Sequence, residues 1–171
     1  MSTDVLLRPA SDRRAAQPAA DRTAVLLAPV AKFLAAHSIT VLRVALGAVF
    51  LGFGVLKFFP GLSPAADIAQ RTIGALTFGV VGPTAALLLT AVLECVIGLT
   101  LLTGRFLKVG LLVLAGALVG IMSPIVLFFH ELFPHGPSLL GQYVLKDLVL
   151  AAAGMVVAAW ALGARLRTPE E

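Results

Sequence analysis

Four apolar stretches, at about 38–59, 83–104, 107–129 and 143–163, constrain this chain more than any other feature. Each holds about 20 residues or more, enough at about 1.5 Å per residue to cross a hydrocarbon core of about 30 Å. In lipid every backbone N–H and C=O has to be satisfied inside the protein, so spans of this composition are helices. The chain is 59% hydrophobic and only 13% charged, against about 25% charged in soluble domains. Its mean hydropathy is +1.00. The expected fold is an all-α integral membrane protein: a four-transmembrane-helix bundle, residues 38–163, with an N-terminal interfacial helix.

The flanking segments divide by composition. Residues 1–23 carry charges of both signs with Pro9 and Pro18, and no apolar core of a signal peptide follows directly. They read as a disordered cytoplasmic tail. Residues 24–37 are apolar but short and interrupted by Pro29 and Lys32, which suits an amphipathic helix in the membrane interface. Ser63-Pro64 can open a short helix over about 65–80, because proline is tolerated at a first helical position. His130 to Leu140 forms the third connection, and residues 164–171 form a second tail.

Lysine and arginine placement sets the orientation. Arg8, Arg13, Arg14, Arg22 and Lys32 precede the first span, Arg105 and Lys108 lie between the second and third, and Arg165 and Arg167 follow the fourth. The other two connections hold only Arg71. Both termini are therefore expected to be cytoplasmic. The net charge of +4 belongs to this topology and to anionic headgroups rather than to nucleic acid. The single cysteine, Cys95, cannot form an internal disulfide, and as a buried thiol it reads as a small hydrophobe.

Five charges lie inside the spans: Arg43, Lys57, Glu94, Lys146 and Asp147. Each costs a few kcal/mol there, so such groups persist where they pair, line a cavity or do work. Arg43, Gly47, Phe50, Gly54 and Lys57 fall within about 80° of one helix face, a face that belongs toward neighbouring helices. Span four carries a small stripe, Asp147, Ala151, Gly154, Ala158 and Ala161. Depth along the spans predicts Arg43–Glu94 and Lys57–Asp147 pairs, with Lys146 left over as an unmatched positive charge. Together the five would build a polar pocket in the outer half of the bundle. The alternative is a set of charges that only locks helix register.

Other patterns carry less chemistry. His130-Glu131-Leu132-Phe133-Pro134-His135 has its second histidine one place too late for H-E-x-x-H, and Pro134 breaks the helix that motif needs. No metal site is expected. Gly116-xxx-Gly120 suits close helix packing. Pro124 is expected to kink the third span. Tyr143 and Trp160 sit near span ends as interface anchors do. No nucleophile–base pair, nucleotide motif or haem signature is present.

Three blocks carry a family likeness. They are Leu42-Arg43 through Gly54-Val55-Leu56-Lys57-Phe58; Leu93-Glu94 through Gly98 and Leu101-Leu102; and Gly141-Gln142-Tyr143-Val144-Leu145-Lys146-Asp147-Leu148-Val149-Leu150. With Ser123-Pro124 before Phe128-Phe129, the pattern over about 38–163 resembles the DoxX-like family of small bacterial membrane proteins, including its DUF417-type branch. Asp147 stands where many members have asparagine. The resemblance implies a four-span inner-membrane bundle serving redox or oxidative-stress physiology.

The expected role is a membrane subunit or anchor beside redox-enzyme partners, not catalytic on its own. The unmatched charge would suit an anionic ligand. No cofactor is evident from the residues, and by family resemblance the pocket would hold a quinone, with Lys146 or Lys57 donating to its carbonyl and Glu94 handling a proton in an enzyme variant. A small proton-coupled or anion carrier, or a non-catalytic assembly scaffold, are the alternatives.

Overall fold

A computed structural model describes the backbone of residues 17–165 and the side chains of residues 25–165. Of the tails expected over 1–23 and 164–171, residues 1–16 and 166–171 lie outside those residues. The described chain is helical: α1 (Gln17–Leu56), α2 (Ala66–Leu76), α3 (Pro83–Thr103), α4 (Leu107–Met122), α5 (Pro124–Leu127), α6 (Phe129–Leu132) and α7 (Leu139–Ala161). Among the described residues, four helical segments are long and apolar enough to cross a membrane: Val25–Leu56, Pro83–Thr103, Leu107–Leu127 and Leu139–Ala161. Large apolar side chains such as Leu112, Val119, Val149 and Met155 are exposed on them, as lipid-facing side chains are.

The described residues divide into two units, one ending at Ser38 and the other Ile39–Arg165. The helix itself does not stop at that boundary. α1 is unbroken, with Pro29 inside it, and it begins at Gln17, within the segment expected to be tail. No glycine or proline stands between Lys32 and Arg43 to end it. Within the first unit His37 stacks on Phe33 at 4.5 Å, one turn earlier.

The second unit is a bundle with two apolar clusters. One is built by Leu46, Phe50, Ile97, Leu101, Leu111, Leu114 and Val157. A smaller one gathers Ile68, Leu132 and Val144. α3 packs against α2 and α4, and α4 against α7. α1 and α3 approach through glycines. A Cβ placed on Gly98 would come within 2.5 Å of the Leu51 nitrogen, and one on Gly47 would meet the Gly98 carbonyl at 3.0 Å. Only hydrogen fits at these crossings, and backbones come together because lipid tails supply no hydrophobic drive and close packing has to.

Helix ends follow local chemistry. Gly82 with extended φ and ψ precedes Pro83, the first residue of α3, and left-handed Gly104 (φ 71°) closes that helix with its N–H on the Thr100 carbonyl. Where a kink is expected at Pro124, the helix is interrupted at Ser123, between α4 and α5. Proline has no N–H for the carbonyl of Gly120, and the Ser123 hydroxyl donates to that carbonyl instead at 2.7 Å. α7 begins earlier than expected, at Leu139, because the Ser138 side chain accepts from the Gly141 N–H at 3.0 Å and caps it. Gly141, in the third family-like block, has a structural task as well: a Cβ there would run into the Leu132 carbonyl.

Candidate functional site

Lys57, Glu94, Lys146 and Asp147 line one cavity of about 280 Å³, with Thr72 and Tyr143 also in its wall. The rest of the wall is mainly apolar, from α1, α2, α3, α4 and α7, and includes residues of both core clusters such as Phe50 and Ile68. Gly116 and Gly120 face this space. Neither has a neighbour within 4 Å of an added Cβ, so the expectation that they mediate close helix packing is corrected. Their missing side chains leave volume open rather than bringing two helices together.

The pairings differ from those read off depth. Lys57 places its Nζ 2.6 Å from Oε2 of Glu94, with the two side chains 2% and 10% exposed. Its Nζ also donates to the Phe53 carbonyl at 3.4 Å. The cause is Gly54, where a Cβ would sit 2.9 Å from the Cys95 nitrogen and 3.0 Å from the Glu94 Cβ. That close crossing brings α3 against α1 one turn before Lys57, and the ammonium then reaches the carboxylate beside it. Asp147 is left to Lys146, whose Nζ lies 3.5 Å from Oδ1. The expected Lys57–Asp147 pair is therefore replaced by Lys57–Glu94 and Lys146–Asp147.

Arg43 is not part of the cavity wall. Its guanidinium donates to the carbonyls of Leu101 and Leu102, the second at 3.3 Å, and so holds the last turn of α3, where unpaired carbonyls gather partial negative charge. It lies 14 residues before Lys57 on α1, roughly 21 Å along the axis, too far to share Glu94. With Arg43 removed from the set, the cavity charges are two cations and two anions. The unmatched positive charge expected of Lys146 is absent.

Lys146 has a second set of partners that sequence reasoning missed. Its Nζ lies 3.5 Å from the centroid of Tyr143 and 4.4 Å from that of Phe53, and the two rings meet edge to face at 5.7 Å. A cation over two ring faces is held by their quadrupoles. The signal was available: Tyr143 precedes Lys146 by three residues on one helix, and Phe53 lies one turn before Lys57.

A second polar cluster lies on α2. Arg71 grips Glu131 of α6 with both terminal nitrogens, at 2.8 and 2.6 Å, and lies over the Phe128 ring at 4.5 Å. The hydrogen bonds from Arg71 hold the Glu131 carboxyl below the ordinary glutamate range, and the same bonds raise the Arg71 pKa further above its usual value. Glu131 is thus a partner of arginine. α2 carries this clasp while Ile68, Ala69, Thr72 and Ile73 line the cavity.

A family model for DoxX matches residues 38–131, more than half of the chain. The chain belongs to the DoxX family. The matched region holds Arg43, Lys57 and Glu94 and ends before Gly141–Leu150, so Lys146 and Asp147 lie beyond it. No curated protein and no solved structure matches the chain. In this DoxX-family bundle the matched half therefore supplies the Lys57–Glu94 pair, and α7 supplies the aromatic-braced lysine and its aspartate.

Proposed function

We propose that this DoxX-family chain is a bacterial inner-membrane subunit that holds a small, neutral, carbonyl-bearing lipophilic molecule of the quinone type in service of redox or oxidative-stress chemistry. One observation carries the reading: a largely apolar cavity whose four charges cancel and whose lysines are already braced. Ligand pockets are mostly apolar with a few placed polar groups and run from about 300 Å³ upward, so 280 Å³ suits one ring system. Lys146, with its Nζ 3.5 Å from Asp147 Oδ1, carries three N–H donors and would turn one to a ligand carbonyl. Lys57 and Glu94 offer a proton-bearing pair next to it.

The zero charge sum favours a neutral guest over an anion, because a lone anion would bring uncompensated charge into a low-dielectric site. An anion carrier accordingly loses support. The positive-inside pattern supports cytoplasmic termini and a cavity in the outer half of the membrane. As a subunit the chain would hand electrons or reducing equivalents to partner enzymes through its bound molecule and would contribute no covalent chemistry of its own.

The test is a titration of the purified full-length chain in detergent with a short-chain quinone, following thermal unfolding. A rise in unfolding temperature that Lys146→Ala removes is the expected result. Absence of protection in the unmodified chain would sink the reading, and abundance loss as the sole effect of every charge variant would favour a scaffold.

A further inference from the structure

Among the described residues, the Thr72 hydroxyl is the one fully buried polar side-chain atom of a cavity-wall residue that has no hydrogen-bond partner. Thr72 is 3% exposed, and its Oγ1 is buried with no hydrogen-bond partner among the described residues. Threonines in membrane helices ordinarily donate to the carbonyl one turn back. Thr77, Thr90, Thr100 and Thr103 all do so here, to Ile73, Ala86, Val96 and Leu99. Thr72 is more deeply buried than these four and does not. Leaving a buried hydroxyl unpaired is costly, and a bound molecule able to complete the bond would relieve that cost. The Ser63 hydroxyl is also unpaired, but Ser63 is not in the cavity wall.

Thr72 comes from α2, whereas Lys57, Glu94, Lys146 and Asp147 come from α1, α3 and α7. The wall thus takes its polar residues from separate helices within a mainly apolar lining. Resting on the reading of the cavity as a ligand site, we infer that Thr72 is a specificity-determining contact for a guest with two hydrogen-bonding oxygens on one flat apolar body. One oxygen meets the lysines, and the other meets the Thr72 hydroxyl once a turn about χ1 brings that buried group to the cavity. A guest with a single oxygen satisfies the lysines alone. The Arg71–Glu131 clasp on the same helix holds Thr72 in register.

The experiment measures binding of two probes to the full-length chain in detergent: menadione, a naphthoquinone with two ring carbonyls, and tetralone, a ring-matched mono-ketone. Thr72→Val keeps the shape and removes the hydroxyl. It is expected to weaken menadione about tenfold and leave tetralone unchanged, while Thr72→Ser retains menadione binding. Without ligand, Thr72→Val should unfold at or above the temperature of the unmodified chain, since no protein bond is lost. Equal weakening of both probes, or a lower unfolding temperature without ligand, would assign the residue to packing and overturn the inference. Menadione binding that Thr72→Val leaves intact would overturn it too, with the ligand-site reading still standing. Failure of the unmodified chain to bind either probe would remove both.

Discussion

Lys57 and Glu94 meet at 2.6 Å with both side chains almost wholly buried, and the glycine one turn before the lysine makes the meeting possible. Removing one partner of a buried pair leaves an uncompensated charge, at about 3–5 kcal/mol, whereas replacing both by apolar residues is often neutral. Lys57→Met and Glu94→Leu are each expected to destabilise by about that amount, and the double variant to recover most of it. Reversible unfolding in mixed micelles measures the cycle. Simple addition of the two losses would show that the pair does not form.

Arg43 is expected to act independently of Glu94. Arg43→Met loses charge-assisted bonds to the end of α3, worth about 1–3 kcal/mol. Because its carbonyl partners lie on the turn around Leu101, its effect should add to that of Glu94→Leu within about 0.5 kcal/mol. A large coupling between the two variants would restore the Arg43–Glu94 pair that this geometry replaces.

Gly98 is expected to tolerate no side chain. Gly98→Ala puts a Cβ against the Leu51 backbone, with contacts of 2.5 to 2.7 Å, and backbone cannot move aside as a flexible side chain can. The loss should be about 1–3 kcal/mol. Gly52→Ala, in the same pair of helices but with nothing within 4 Å, should be neutral or gain up to about 1 kcal/mol from helix propensity. Comparable unfolding midpoints for the two variants would refute the close crossing.

The Arg71–Glu131 clasp should respond to acid and salt in one direction. The folded-state pKa of Glu131 is lowered by its bonds to Arg71. Its contribution is therefore fully present above the ordinary glutamate range and lost as pH falls through the folded value. Arg71 stays charged throughout. The opening of α2, read from amide exchange corrected for its intrinsic pH dependence, should be flat between about pH 5 and 8 and rise only in stronger acid. At neutral pH it should rise with added salt, because both side chains are partly exposed. Glu131→Gln should abolish both responses.

Hydropathy made the spans legible, and Pro124 made the break in the third one legible, because both act locally. The charged residues could be found the same way, but their pairing could not. Depth along separate helices says nothing about where a glycine lets two of them touch, and Gly54 decides the matter for Lys57. Gly116 and Gly120 illustrate a related ambiguity, since small residues spaced by four serve an open cavity as readily as a tight crossing. The start of α7 was hidden by the weight given to apolar runs; Ser138 was a readable cap. Thr72 carried no signal in sequence, because an unpaired hydroxyl is defined only by what surrounds it.

Arg43 fastens α1 to the last turn of α3, and Lys57 fastens it again near residue 94, with Gly47, Gly54 and Gly98 pressed between the two fastenings. Two helices pinned at two heights cannot pivot about either point. They form the fixed wall of the chamber. Any change in the shape of that chamber then falls to its other walls: α2, which Arg71 ties to Glu131 and Ile68 packs against Leu132 and Val144, and α4, whose run ends at Ser123.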